Sequence, residues 1–444
     1  MRAMKDSGVE WIGEVPEEWD MNRLRYLASM ESGATPSKDN LSFWEGTLPW
    51  VSSMEVKQSV LTDTTFHISE EAVKSCSTRL LPEGTLVMVV RSGILQHSIP
   101  VALLGRPMAI NQDIKAFAFG DSMLAKYFLY FVEGNNDNLL KALLKDKSTV
   151  DNINQEYLKS LLVSVPPIEE QAAIVSFLDS YCGSIDGAVS ILEIQISILE
   201  RYRASVIHEA VTRGLDPSVP AKPSGVEWIG EIPEGWIIRK LKHIVHTFES
   251  GTSVRAASYP ADGGEKGVLS LSAVFGGKYN PLANKKIDDD EYGRASCSVR
   301  SGCLLLSRCN TSEWVGLPAY VDTGSTSLYL PDKLWQIDFG SNILNKFVWY
   351  ALRSKGSRDY CFVMSVGSSS SMQNISSDDL LNMYIPLPPL EGEMRGIVSF
   401  LDRKLSAIDA ILDTKRKQLD ILKRRRQSLI YEYVTGKRRV GEGN

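Results

Sequence analysis

The 444-residue chain has no long apolar run; those it has are short, such as Leu86 to Val90 and Cys303 to Leu306. A membrane helix needs roughly 18–20 apolar residues, so no membrane association is expected. Met1 to Glu10 lacks the hydrophobic core of a secretion signal, which predicts a cytoplasmic location. Cysteine is sparse: Cys76, Cys182, Cys297, Cys303, Cys309 and Cys361 form no C-x-x-C pair. Reduced thiols are expected, and the six-residue steps from Cys297 to Cys309 are not a spacing that zinc usually takes. Of the five histidines, His67, His97, His208, His243 and His246, only the last two are close, and no carboxylate or cysteine cluster joins them. No metal site is predicted. Enzyme motifs are missing too. There is no phosphate-cradling G-x-x-x-x-G-K-[ST], no G-x-G-x-x-G after a strand, no H-E-x-x-H, and no Asn/Asp-Pro-Pro-aromatic motif around Pro166-Pro167. Asp288 to Glu291 reads as a solvated charge run rather than a catalytic cluster. No catalytic residue is assigned.

What is present is an ordinary globular composition, 43% apolar and 23% charged, in a chain long enough for two domains. The net charge is −5, unevenly spread. Leu401 to Val440 holds 12 Lys and Arg against 5 Asp and Glu, whereas Met1 to Val165 holds 16 against 21.

The strongest feature is an internal repeat. Ser7-Gly-Val-Glu-Trp-Ile-Gly-Glu14 recurs letter for letter as Ser224 to Glu231, and Pro16, Glu17 and Trp19 answer Pro233, Glu234 and Trp236. Glu31-Ser32-Gly33 answers Glu249-Ser250-Gly251. After divergent middles the match resumes: Asn152-Ile153 with Asn374-Ile375, Pro166-Pro167 with Pro388-Pro389, Ile174 to Asp179 with Ile397 to Asp402, and Val211-Thr212 with Val434-Thr435. The period is far too long for a solenoid unit. It describes a duplicated domain with a duplicated connector, and the unlike middles suggest two recognition surfaces with different targets. Trp11, Trp19, Trp228 and Trp236 read as repeated core anchors.

The connectors carry heptads. Leu178, Cys182, Ile185, Val189, Leu192, Ile196, Leu199 and Val206 recur in steps of four and three, with Arg203 as the polar member. The second copy runs Leu401, Leu405, Ile408, Leu412, Leu419, Leu422 and Leu429, with Lys415 and Arg426 as polar members. This is the seam of a coiled coil. The Pro pairs bar helix before each seam, and Gly214 and Gly436 are placed to end it. Each helix of roughly 40 residues would span about 60 Å. An approximate two-fold between the copies would pair the helices antiparallel. Pro217, Pro220 and Pro223 make the stretch between the halves a semi-rigid linker. The middles read as mixed α/β, with buried strands at Leu86–Val90 and Cys303–Leu306 and helices at Ser122–Leu144 and Ile343–Leu352.

The paired Ser-Gly-Val-Glu-Trp-Ile-Gly-Glu-x-Pro-Glu-x-Trp openings, Pro166-Pro-Ile-Glu-Glu-Gln171, the Ser-Phe-Leu-Asp boxes and the Val-Thr-Gly436 close resemble the specificity subunit of Type I restriction–modification enzymes. Copy two departs at Pro389-Leu-Glu-Gly-Glu-Met394, which replaces Pro-x-x-Glu-Gln and carries one extra residue. The resemblance implies an α/β (mixed α+β) chain with two pseudo-two-fold-related target recognition domains, separated by two long antiparallel coiled-coil helices. The segments would be a first recognition domain at 1–166, a spacer helix at 167–214, a Pro-rich linker at 215–223, a second recognition domain at 224–388, a second spacer helix at 389–436 and a basic tail at 437–444. It further implies that each domain reads half of a bipartite, asymmetric site in double-stranded DNA. The helices would set the gap and dock two methyltransferase subunits that use S-adenosylmethionine. Two restriction subunits using ATP and Mg2+ would complete the complex, and the chain itself would bind no cofactor.

Candidate DNA contacts are the polar and basic residues of the divergent middles near Gly-rich loops. In the first these are Ser32, Thr35, Ser37, Lys38, Arg91, Ser92, Gln96, His97 and Gln112; in the second they are Ser253, Arg255, Lys278, Arg308, Asn310, Thr311 and Gln373. Arg91 and Arg308 stand out because each ends a predicted strand at an equivalent place, and arginine reads guanine bidentately. Leu178, Ile185, Leu192, Leu199, Leu401, Ile408, Leu412, Leu419 and Leu422 are the expected helix-pairing residues. Lys423-Arg-Arg-Arg426 and Lys437-Arg-Arg439 fit either phosphate contacts or a solvated helix face and tail. The alternative to DNA reading is a duplicated, non-catalytic protein-binding scaffold, which the acidic balance mildly favours.

Overall fold

A computed structural model describes residues 2–76, 78–144, 151–369 and 372–441. The last three residues of the basic tail lie outside the described residues. The chain divides into two compact units, Met1–Glu193 with Lys417–Asn444, and Ile194–Arg416. The division runs through both long helices, so each unit holds one head plus the start of one helix and the end of the other.

In the first unit the head is built on a five-stranded sheet in the order Ala28–Ser32, Ile114–Phe119, Leu86–Val89, Val101–Leu104, Val60–Leu61. The strand Leu86–Val89 is buried along its whole length, as its uninterrupted apolar sequence requires. In the second unit the counterpart is a four-stranded antiparallel sheet, Thr247–Ser250, Leu334–Asp338, Leu304–Ser307, Pro318–Tyr320. The divergent middles thus share a central sheet. Each head is closed by a two-stranded ribbon joining its opening to its end: Asp20–Arg23 with Leu162–Val165, and Ile237–Lys240 with Tyr384–Leu387.

The repeated Glu-Ser-Gly has a steric reason. A Cβ at Gly33 would fall 1.8 Å from the Ile110 carbonyl oxygen, and one at Gly251 1.8 Å from that of Leu330. Both glycines let the chain leaving the first sheet strand pass directly against a neighbouring backbone.

Ser122–Leu144 is two helices rather than one, Ala125–Gly134 and Asn136–Leu143. Asn135 leaves helical geometry between them, and its side chain donates to the Phe131 carbonyl at 2.8 Å. Trp19 and Trp236 are fully buried, but Trp11 and Trp228 are only half-buried lids on their cores. Asp288–Glu291 is not simply solvated: the Glu291 carboxylate is largely buried, held by Arg294 at 2.8 Å and Arg255 at 3.6 Å.

The connector helices run Ile168–Arg213 and Glu391–Val434, 46 and 44 residues. At 1.5 Å per residue each is about 65–70 Å long. They begin directly after Pro167 and Leu390 and therefore exceed the length read from the seam alone. Both end on a left-handed glycine, Gly214 (φ 73°) and Gly436 (φ 70°).

The helices pair within each unit. In the first, Asp186 meets Arg426 and Glu193 meets Lys423. In the second, Lys415 donates to Gln195 and Arg203 pairs with Asp409. In both units the partner number falls as the first rises, so the pairing is antiparallel. Leu178, Leu401, Ile408 and Leu412 are buried, while Ile185, Leu192, Leu199, Leu419 and Leu422 are half-buried. The burial deepens where a head joins the pair.

One feature departs from the expectation of no membrane-like stretch. The helix Ile168–Arg213 is long and apolar enough to cross a bilayer by length and composition alone. Scattered Gly, Ser and acidic residues break the run in sequence. Ile191, Ile194 and Ile198 of this helix are exposed.

Candidate nucleic-acid interface

The first-head candidates gather at one end of the five-stranded sheet. Ser32 ends its strand opposite Lys115, and Val89 ends its strand opposite Ile114, so Ser32, Arg91 and the turn Asn111–Asp113 share that end. The Val90 and Arg91 amides both donate to the Asp113 carbonyl, at 2.8 and 3.3 Å. Asn111 fixes the turn by accepting from the Asp113 amide at 3.0 Å. Thr35 Oγ1 donates to Gln112 Oε1 at 2.6 Å, tying the loop after the first strand to the turn. Ser92 opens a short 3-10 turn over Gly93–Gln96 and accepts from the Ile94 amide, leaving Gln96 and His97 exposed. Ser37 accepts from the Asp39 amide at 3.3 Å, beside the exposed Lys38. The Arg91 side chain is exposed and makes no hydrogen bond or ion pair among the described residues.

The second head repeats the arrangement. Arg308 follows the strand Leu304–Ser307, its amide donates to the Lys333 carbonyl at 3.0 Å, and the Ile375 amide donates to its own carbonyl at 3.0 Å. In the first head Ile153, the repeat partner of Ile375, donates to Val90 at 2.8 Å. Arg308 thus matches Val90, while Arg91, bridged to Asn152, matches Cys309, which pairs with Asn374: the two arginines close the same strand one residue out of step. The Arg308 side chain is likewise exposed, with no partner among the described residues. Asn310 pairs in register with Gln373 on the neighbouring strand. Asn310 Nδ2 and Thr311 Oγ1 are buried polar atoms with no hydrogen-bond partner among the described residues, a costly arrangement.

Three candidates fall elsewhere. Arg255 is committed to Asp290, Asp288 and Glu291, so its charge is already matched. Ser253 lies beside that acidic loop, its carbonyl accepting from Arg294 at 3.4 Å. Lys278 bridges to Tyr320 and borders a cavity against the second long helix, away from Arg308. Of the basic clusters, Lys423 and Arg426 are spent on Glu193, Glu133 and Asp186. Lys437 donates to the Ile12 carbonyl at 2.7 Å and Arg438 pairs with Glu432. These parts of the clusters fasten helix to helix and helix to head.

Lys115 was missed. It faces Ser32 across the strand pair, and burial, then the nearby Lys159 charge, lower its pKa. A lone charge in the apolar strand Ile114-Lys-Ala-Phe-Ala-Phe119 was the available signal.

Outside the reading ends, the repeated boxes have one job in both units. Asp179 accepts from Tyr130 at 2.7 Å and Lys126 at 2.7 Å; Asp402 accepts from Tyr350 at 2.6 Å and Lys346 at 3.1 Å. Trp19 donates to Glu170 at 3.0 Å and Trp236 to Glu393 at 2.8 Å. Each head is thereby locked to the start of its own helix. The departure of copy two is also explained. Gln171 accepts from the Leu124 amide and donates to the Ser122 and Pro166 carbonyls, and Met394 in its place packs against the second core instead.

Residues 16–188 match the family described as Type I restriction modification DNA specificity domain. The Type I restriction enzyme EcoR124I/EcoR124II specificity subunit of Escherichia coli is 34% identical over 182 residues, 40% of this chain and 42% of that protein. The putative type I restriction enzyme MjaX specificity subunit of Methanocaldococcus jannaschii is 26% identical over 444 aligned residues, covering 97% of this chain and 96% of that protein. A solved chain from work on complex assembly and conformational transition of the type I R-M system has the same fold, with a TM-score of 0.63 at 16% identity, covering 95% of this chain and 98% of that one. Residues 16–188 thus match a Type I specificity domain, and over nearly its whole length the chain is similar to specificity subunits of Type I restriction enzymes.

Proposed function

We propose that this chain is the sequence-reading, non-catalytic subunit of a Type I restriction–modification complex, acting in the cytoplasm. Each head reads one half of a bipartite, asymmetric site in double-stranded DNA. The observation that carries this reading is the pair Arg91 and Arg308: two exposed guanidiniums, without a hydrogen bond or ion pair among the described residues, that close the same sheet strand one residue apart in two heads whose surrounding loops differ. The major groove presents a distinct donor and acceptor pattern for each base pair, and a free arginine fork suits guanine O6 and N7. Around each arginine, neutral groups such as Gln96, Gln112 and Gln373 offer both donors and acceptors, while Lys38 and Lys115 supply charge for phosphates. A low overall charge is compatible with this, because the basic groups are local.

The long helices act as a spacer between the two readings and as the dock for two methyltransferase subunits. Two restriction subunits complete the complex. S-adenosylmethionine, ATP and Mg2+ belong to those partners.

The test is mapping of methylated bases across a genome in cells with and without this chain, its partners present in both. The expected result is methylation confined to one bipartite sequence and dependent on the chain. Exchange of residues 32–150 for those of another family member should change one half-site and leave the other. Methylation independent of the chain, or an exchange that alters both halves, refutes the reading.

A further inference from the structure

The duplication supplies an internal control, because one charge cluster occurs in both units with one sign reversed. In the first unit Arg426 lies between two carboxylates, 2.9 Å from Glu133 and 2.8 Å from Asp186. Burial works against its charge, but the two carboxylates outweigh burial and its pKa is raised. The repeat partner of Arg426 is Arg203, which meets Asp409, the partner of Asp186, at 2.8 Å. The third member sits on the helix after the sheet. Lys126 and Tyr130 on Asp179 match Lys346 and Tyr350 on Asp402, which fixes the alignment of these helices. Three residues after each tyrosine, the first unit has Glu133 and the second has Arg353. A carboxylate–guanidinium–carboxylate triad becomes two guanidiniums and one carboxylate.

Arg353 makes no hydrogen bond or ion pair among the described residues; its guanidinium carbon lies 4.5 Å from the centre of the Trp349 ring. Burial, with the Arg203 charge adding to it, brings its pKa down to about 10. The residue borders an open cavity of about 430 Å³ whose other charged residues are Arg203, Lys278, Asp402, Asp409 and Asp413. Asp409 is taken by Arg203, and Asp402 by Tyr350 and Lys346. Asp413 alone is left to face Arg353 and Lys278. A half-buried guanidinium with no ion-pair partner among the described residues is costly, and a guanidinium fork matches a carboxylate bidentately.

The geometry points to an anion site: the cavity beside Arg353 and Arg203 takes a carboxylate from outside the chain, in the position that Glu133 fills in the first unit. The source is a free carboxylate anion or an acidic side chain of a docked subunit. The site lies apart from Arg308 and does not depend on DNA reading.

The test is thermal unfolding of the full chain in potassium acetate and in potassium chloride at matched concentrations. Wild type should show a saturable rise in Tm of several degrees in acetate. Arg353→Glu rebuilds the arrangement of the first unit, so its Tm in chloride should be higher and the acetate-specific rise should vanish. Arg353→Met, which keeps bulk without charge, should also lose the rise. General salt effects act on all three proteins alike. No acetate-specific rise in wild type, or one that persists in both variants, overturns the site. Given that rise, association with the methyltransferase subunits of the same system separates the sources. A loss of tenfold or more with Arg353→Glu assigns the carboxylate to a subunit, and unchanged association assigns it to a free anion. The acetate arm needs neither DNA nor partners, so its failure leaves the proposed function standing.

Discussion

Replacing Gly436 by alanine, beside the same change at Gly214, separates two costs that usually travel together. Both glycines end a long helix in the left-handed region, at φ 70° and φ 73°. For alanine this backbone costs about 1–2 kcal/mol. The surroundings differ. A Cβ at Gly436 would sit 2.2 Å from Pro16 Cδ and 3.2 Å from the Trp19 ring, whereas one at Gly214 finds nothing nearer than the Trp236 ring at 3.4 Å. The Pro16 ring is anchored: its strand pairs with Met4–Asp6, and its carbonyl accepts from the Trp19 amide. The first unit must therefore shift at the junction of head and helix end, an overpacking cost of about 1–3 kcal/mol. The expected loss is about 2–5 kcal/mol for Gly436→Ala and about 1–2 kcal/mol for Gly214→Ala.

The assay is urea unfolding followed by tryptophan fluorescence, with hydrogen exchange assigning each loss to its own unit, since two units need not unfold as one. Gly436→Ala should deprotect the Trp19 core and leave the Trp236 core protected. Equal losses at the two positions, or a larger one at Gly214, would show that the opening of the first head does not grip the helix end as described.

Glu133→Gln should destabilise the first unit by about 1–3 kcal/mol, because it strands a partly buried guanidinium with one carboxylate; chemical denaturation reads this directly. Arg91→Ala and Arg308→Ala should each weaken binding by about 1–3 kcal/mol and relax discrimination at one position of one half-site, measured by competition among mutated duplexes. An effect spread evenly over all sequences would mean phosphate contact instead. Burial of His208, then the Arg213 charge, lowers its pKa below the unfolded value. Near and below the unfolded pKa the unfolded chain binds more protons, so the second unit loses stability as pH falls from about 6.5 toward the folded pKa. His208→Gln should flatten that part of the stability profile.

The parts legible in the sequence were those whose physics is local. Heptad spacing marked the paired helices, and the Pro and Gly punctuation marked their limits. The apolar runs from Leu86 and Leu304 marked the central strands. The rest depends on contacts between distant residues. Thr35 meets Gln112 across 77 positions and Trp19 meets Glu170 across 151, and no periodicity encodes such pairs. Arg255 looked as available as Arg308 because nothing local announces that the acidic run at Asp288–Glu291 folds back to claim it. For the Trp19–Glu170 pair the signal lay in the repeat, which keeps both members as Trp236 and Glu393.

That reasoning also sorts the duplicated residues from the divergent ones. Asp179 and Asp402, or Trp19 and Trp236, are fixed because each touches a second duplicated group, and changing either alone leaves a buried polar partner unmatched. The Arg91 and Arg308 side chains are exposed and lack that constraint, so the copies could diverge there without loss of stability. Glu133 and Arg353 are the informative exception. They differ although their neighbours Arg426 and Arg203, Asp186 and Asp409, Tyr130 and Tyr350 are all retained. A position surrounded by retained partners should not reverse its charge freely. The reversal is tolerable once the missing negative charge arrives from elsewhere, and Arg353→Glu should then stabilise the isolated chain while removing its response to carboxylate.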